Sequence, residues 1–146
     1  MHPIRIMLGM TFIAAGIGAA QAEEKTVKML NNGPDGPMAF DPSFVTIAPG
    51  DSVKFVATDK SHNVATIKGM APEGAPEVKG RPNKDETVTF EKEGVYGFKC
   101  EPHYSMGMVA LVVVGSKLDN LDQAKSAQVS PAAKKRFDPL FAQAQK

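Results

Sequence analysis

One stretch constrains this chain more than any other. It reads Cys100-Glu101-Pro102-His103-Tyr104-Ser105-Met106-Gly107-Met108 and lies between apolar runs at residues 95–98 and 109–114. It holds the only cysteine, a histidine three positions on, and two methionines within the next five. A thiolate, an imidazole and a thioether are soft to intermediate donors, and on one short loop they can converge on a single ion. Such donors favour copper, and two histidines, one cysteine and a weak axial methionine make up an electron-transfer copper site. The loop offers one histidine, so a second must come from elsewhere.

Residues 1–22 stand apart from the rest. Met1-His2-Pro3-Ile4-Arg5 is a short basic start, residues 6–18 are apolar, and Ala20-Gln21-Ala22 is a small-x-small cleavage site. This is the pattern of a secretory signal peptide. A membrane anchor fits less well, because the run falls short of the ~20 apolar residues that a span needs. Cleavage leaves residues 23–146, enough for a single domain with a real core. It also removes Arg5 and no acid, so 17 basic residues become 16 against 16 acidic ones. The mature chain then has no basic field to suggest nucleic acid. It keeps two histidines, His62 and His103. A lone thiol in an oxidising compartment cannot close an internal disulfide, and a metal bond is one way to protect it.

Along the chain, short strands are expected at residues 25–30, 44–47, 52–58, 64–67, 87–90, 95–100 and 109–114. Val53, Phe55 and Ala57 alternate with Lys54 and Val56, the period of a half-buried strand. Residues 31–37 and 49–51 are rich in turn formers. Residues 68–84 read as a long surface connection with room for one helical turn. A turn at residues 91–94 is expected to join the strands before and after it as a pair. Seven or eight short strands with Gly/Pro turns argue for a β-sandwich over about residues 23–115. A helical extension follows over about residues 116–146. Leu118, Leu121 and Ala124 have helical spacing, and Ser130-Pro131 is a helix start. Phe137, Leu140 and Phe141 form the apolar stripe of the last helix, which Pro139 is expected to kink or split.

Strand parity puts Tyr96, Phe98 and Cys100 on one face and Val95, Gly97 and Lys99 on the other. The aromatics mark the first face as inward, so Cys100 points into the end of the sandwich. His62 is the remaining histidine that could join it. The expected donors are His62, Cys100 and His103, with Met108 weak and axial. Met108 is preferred to Met106 because it opens the next strand, where the backbone is rigid.

The chain resembles the cupredoxins, the type 1 blue copper family, and within them the pseudoazurin branch. The likeness runs through Phe40-Asp41-Pro42, Ala48-Pro49-Gly50-Asp51, Ser61-His62-Asn63, Cys100-Glu101-Pro102-His103-Tyr104 through Met108, and two C-terminal helices. It implies a mainly β fold, an eight-stranded Greek-key sandwich with two C-terminal α-helices. It also implies one type 1 copper on His62, Cys100, His103 and Met108. The implied role is a monomeric periplasmic one-electron carrier, not an enzyme. Such a carrier takes electrons from a periplasmic or membrane-bound donor and passes them to copper nitrite reductase in denitrification. Further, the resemblance implies that Asn63 bonds the thiolate through its N–H and ties the ligand segments through its side chain. The His103 edge is the implied electron port, with Met38 and Pro102 as an apolar patch around it. Lys60, Lys79 and Lys99 would ring that patch.

Two other classes compete. A Cys/His pair can be a nucleophile and its base, but that needs an accessible thiolate and gives Met108 no role. A non-redox copper or zinc protein is the second, although structural zinc rarely takes a thioether.

Overall fold

Among the described residues, eight strands form two four-stranded sheets, and two α-helices cover one of them. A computed structural model describes residues 20–146. Most of the expected signal peptide, residues 1–19, lies outside the described residues. The strands are β1 (Glu24–Gly33), β2 (Gly36–Asp41), β3 (Phe44–Ile47), β4 (Ser52–Val56), β5 (Ala65–Thr66), β6 (Glu86–Thr89), β7 (Gly94–Lys99) and β8 (Val109–Val114). One sheet has the order β2-β1-β4-β6 and the other β3-β8-β7-β5. Consecutive strands repeatedly change sheets, as a Greek-key sandwich requires. Parallel pairs β1/β4 and β3/β8 bring together strands that are not neighbours in sequence.

Alternation decides what each face buries. Tyr96, Phe98 and Cys100 join Met108, Ala110, Val112 and Val114 in the core between the sheets. Phe98 lies 5.1 Å from Phe55 and 6.0 Å from Phe90, ring centre to ring centre. Each such ring contributes ~1.5–3 kcal/mol by burial. The opposite face of the same two strands carries Val95, Val109, Leu111 and Val113, and it packs beneath the helices. Strand β8 is therefore buried on both faces, as its unbroken apolar run predicts. Gly97 is needed on the helix side, because a Cβ there would stand 2.8 Å from the Met70 sulfur.

Helix α1 spans Leu121–Ser126 and α2 spans Pro131–Ala144. Asn120 joins α1 to the sandwich by accepting from Val95 N–H (2.9 Å) and donating to Val95 C=O (2.8 Å). The Ser130 hydroxyl caps α2 by accepting from Ala133 N–H at 3.2 Å. Ala133, Phe137, Leu140 and Phe141 are the buried stripe of α2.

Several expectations are corrected. Residues 31–37 are not all turn: β1 runs to Gly33, and β2 returns from Gly36 after a two-residue bend. Residues 91–94 do not close a hairpin. Strand β6 pairs with β4, whereas β7 pairs with β8 and β5 in the other sheet. Phe90 explains the crossing. Its backbone stays with the first sheet, exchanging bonds with Gly50 and Asp51, while its ring packs on Tyr96 across the core. Strand β5 has only two residues, and residues 68–84 form no helical turn. Pro139 does not split α2. Both Pro139 and Lys135 four residues earlier, whose carbonyl loses its intrahelical donor, are exposed residues on the outer side of the helix.

Candidate metal centre

Strand β7 ends at Lys99, and the next residue, Cys100, continues its inward face with no exposed surface. A 3-10 helical turn, Glu101–Met106, follows with Pro102 as its second residue and carries His103 back over the sulfur. Gly107 ends this turn in the left-handed region (φ 87°). The segment is closed at its base by Cys100 N–H donating to Met108 C=O (3.0 Å) and Met108 N–H donating to His103 C=O (3.2 Å). Both sulfur residues, Cys100 and Met108, therefore stay in the same buried cluster. Met106 is 49 % exposed and faces away from it.

His62 reaches the site from the loop after β4 and is fully buried. Its Nδ1 lies 3.6 Å from the Cys100 Sγ, the His103 Nδ1 lies 3.6 Å from the same sulfur, and the two ring nitrogens are 3.1 Å apart. A point equidistant from all three atoms of that triangle is about 2.0 Å from each. Metal–imidazole bonds are ~2.0–2.1 Å and metal–thiolate bonds ~2.3 Å, so the three atoms fit one ion with little rearrangement. Among the described residues this is the cluster of three or more His, Cys, Asp or Glu residues that can hold a metal.

The surroundings prepare the donors. The Asn31 Oδ1 is 2.9 Å from His62 Nε2. An amide oxygen only accepts, so Nε2 carries the proton and Nδ1 presents its lone pair to the site. Burial holds the His62 pKa below its ordinary value, and the nearby His103 pushes the same way; Asp59 opposes them. The neutral imidazole, the form that ligates, is thereby favoured. Burial also raises the Cys100 thiol. The backbone N–H groups of Asn63 and His103 bond the sulfur and work against that rise, while the Glu101 charge adds to it. Without a cation this cysteine is a poor nucleophile, since it is both buried and hard to ionise.

Asn63 links the two ligand segments. Its Oδ1 accepts from Glu101 N–H at 2.8 Å, and its Nδ2 donates to Glu101 Oε2 (2.8 Å) and Gly80 C=O (3.1 Å). Residues 27–115 match the family of copper-binding proteins described as the plastocyanin/azurin family. The chain is 64 % identical over 126 residues to a pseudoazurin of Methylorubrum extorquens, covering 86 % of this chain and 85 % of that one. The chain belongs to the pseudoazurin family. A pseudoazurin of Paracoccus pantotrophus is 44 % identical over 142 residues, 97 % of each chain. The crystal structure of pseudoazurin from Methylobacterium extorquens AM1 superposes with a TM-score of 0.81 at 64 % identity, covering 82 % of this chain and 98 % of that one. Pseudoazurins are copper electron carriers and not enzymes, which removes the thiol-enzyme alternative.

The residues expected around the port are more varied than a simple ring. Pro102, Lys60 and Lys79 are exposed. Met38 is partly buried against the cluster that holds Cys100 and Met108. Lys99 is half-buried, with its Nζ 5.3 Å from the centre of the Tyr104 ring. Sequence reasoning missed Asn31 as the partner of His62. No local signal marks it, because the contact spans 31 positions.

Proposed function

We propose that this protein is a monomeric periplasmic carrier of single electrons. In this reading one copper is held by His62, Cys100, His103 and Met108, and copper nitrite reductase is the acceptor. The convergence of one sulfur and two imidazole nitrogens on one point carries the assignment. Bound copper supplies the Cu(II)/Cu(I) couple. The chain does the rest. Asn31 fixes the His62 ring, the N–H groups of Asn63 and His103 hold charge on the sulfur, and burial of Cys100, His62 and Met108 excludes water. A donor set fixed this firmly moves little between oxidation states, and that favours fast exchange.

His103 is the half-buried member of the set and serves as the exit for the electron. Exposed Pro102 beside it, with Met38 behind, is the docking patch, and Lys60, Lys79 and Lys99 steer an acidic partner. The basic start, apolar run and Ala20-Gln21-Ala22 of residues 1–22 support export to the periplasm. Among the described residues no helix is long and apolar enough to cross a membrane.

Purified protein loaded with Cu(II) should show an intense blue or blue-green band that ascorbate bleaches and oxidant restores. Its stopped-flow rate with copper nitrite reductase should fall as salt rises, since exposed charges are screened over ~10 Å at 0.1 M. A colourless protein would overturn the copper ligands; a rate flat with ionic strength would overturn the steering lysines.

Asn63→Ala should weaken copper binding by roughly 10–100-fold, the usual effect of losing a group that orients metal ligands. Competition with a copper chelator measures this. Unchanged affinity would mean that the hydrogen bonds within residues 100–108 hold the ligands without help.

A further inference from the structure

We infer that Arg136, on α2, is a positioning residue that holds Met38 against the metal site. Its guanidinium donates from Nη1 to the Met38 carbonyl and from Nη2 to the Pro37 carbonyl, both at 2.6 Å. In a regular strand, consecutive carbonyls point to opposite sides, so one planar fork cannot reach both. Here it can, because Met38 has φ +51° and turns the chain. A non-glycine residue rarely adopts that conformation and keeps it only when its surroundings impose it. Strand β2 is an edge strand, which leaves these carbonyls open to the helix.

The turn has a consequence for the site. It directs the Met38 side chain onto the cluster that contains Cys100 and Met108. Met38 also stands across the β1–β2 hairpin from Asn31, between the pairs Leu30↔Ala39 and Asn32↔Pro37. Asn31 is the residue that fixes His62. The guanidinium thus acts on the strand pair that flanks one ligand.

The helix that carries Arg136 is itself registered on the ligand loop. Ser130 donates from its hydroxyl to the Tyr104 carbonyl and from its N–H to the Tyr104 hydroxyl, both at 3.2 Å. A Cβ on Gly107 would meet the Ala132 carbonyl at 2.8 Å and the Arg136 Cδ at 3.3 Å. Arg136 therefore measures the position of β2 against the loop of Cys100, His103 and Met108. Lysine keeps the charge but has one terminal nitrogen on a flexible stem, so it does not reproduce the rigid planar fork whose two nitrogens each hold one carbonyl.

This inference rests on the copper reading for its optical test and not for its NMR test. Methyl-labelled methionine spectra of the metal-free protein are compared for wild type and Arg136→Lys. The Met38 methyl should shift and broaden while that of Met29, in the sandwich core, stays put. In the Cu(II) form, Arg136→Lys should change the intensity ratio of the visible bands. The same substitution should change nothing further in a Met38→Gly background, where the side chain is gone and the backbone is unstrained. An unmoved Met38 methyl in Arg136→Lys would overturn the inference. So would a band change of equal size with and without Met38, which would place the action of Arg136 elsewhere. If wild type shows no such bands, the copper reading fails, and the methyl shift still decides the role of Arg136.

Discussion

Cys100→Ser should abolish the intense visible band of the copper-loaded protein and its reversible bleaching, while the fold survives. Cys100 is the only thiol in the chain, so no other side chain can replace it as thiolate donor. Serine is nearly isosteric, and its hydroxyl can use the N–H groups of Asn63 and His103 that now serve the sulfur. Its oxygen is a hard and weakly acidic donor, however, and does not supply the soft thiolate on which the copper assignment rests. His62 and His103 remain and still offer two imidazoles to a metal. Residual, colourless copper binding is therefore expected, weakened because one of three strong donors is lost. A visible spectrum across a Cu(II) titration reads the band, and circular dichroism confirms that the sheets persist. A blue band retained in Cys100→Ser would remove the sulfur from the site and with it the proposed ligand set.

Much of this centre was legible because its chemistry is local. Cys100, His103 and Met108 fall within nine consecutive residues, and strand parity alone turned Cys100 inward with Tyr96 and Phe98. The same local rules gave the Ser130 cap and the Phe137, Leu140, Phe141 stripe. What the sequence did not reveal is non-local. The expected pairing of β6 with β7 failed because the ring of Phe90 packs across the core while its backbone stays behind with Asp51. The backbone partners that hold Phe90 in the first sheet, Gly50 and Asp51, are distant in sequence and leave no trace near residues 91–94. Asn31 and Arg136 were missed for a related reason. Each is an ordinary polar residue in its own segment, and each matters through a partner 31 or 98 positions away. The left-handed backbone at Met38 was equally hidden, since the residue type argues against it and the Arg136 contacts to it come from a distant helix. Pro139 shows the converse: a strong local rule was overruled on the exposed side of a helix whose other face is anchored in the core.

Phe137→Ala should destabilise the protein by about 3–5 kcal/mol, as large-to-small changes of buried aromatics do. Against a total of ~5–15 kcal/mol for a domain, that is a severe loss. Phe137 is 1 % exposed, stacks on Phe141 at 5.6 Å, and sits in the cluster with Val95, Val109, Leu111 and Val113. The cavity would open directly on β7 and β8, the two strands that launch and receive the ligand loop. Urea denaturation followed by circular dichroism and by the visible band together provides the measurement. Residues 23–146 are proposed to unfold as one unit, so both signals should shift to lower urea in a single coincident transition. The alternative is a helix that merely rests on the sandwich. In that case Phe137→Ala would loosen α2 alone, and the sheet signal would keep its midpoint while helical signal was lost early. The bonds from Ser130 to Tyr104 and from Arg136 to Pro37 and Met38 argue against this. They fasten α2 to the loop and hairpin that frame the metal, so the helix cannot leave without disturbing the site.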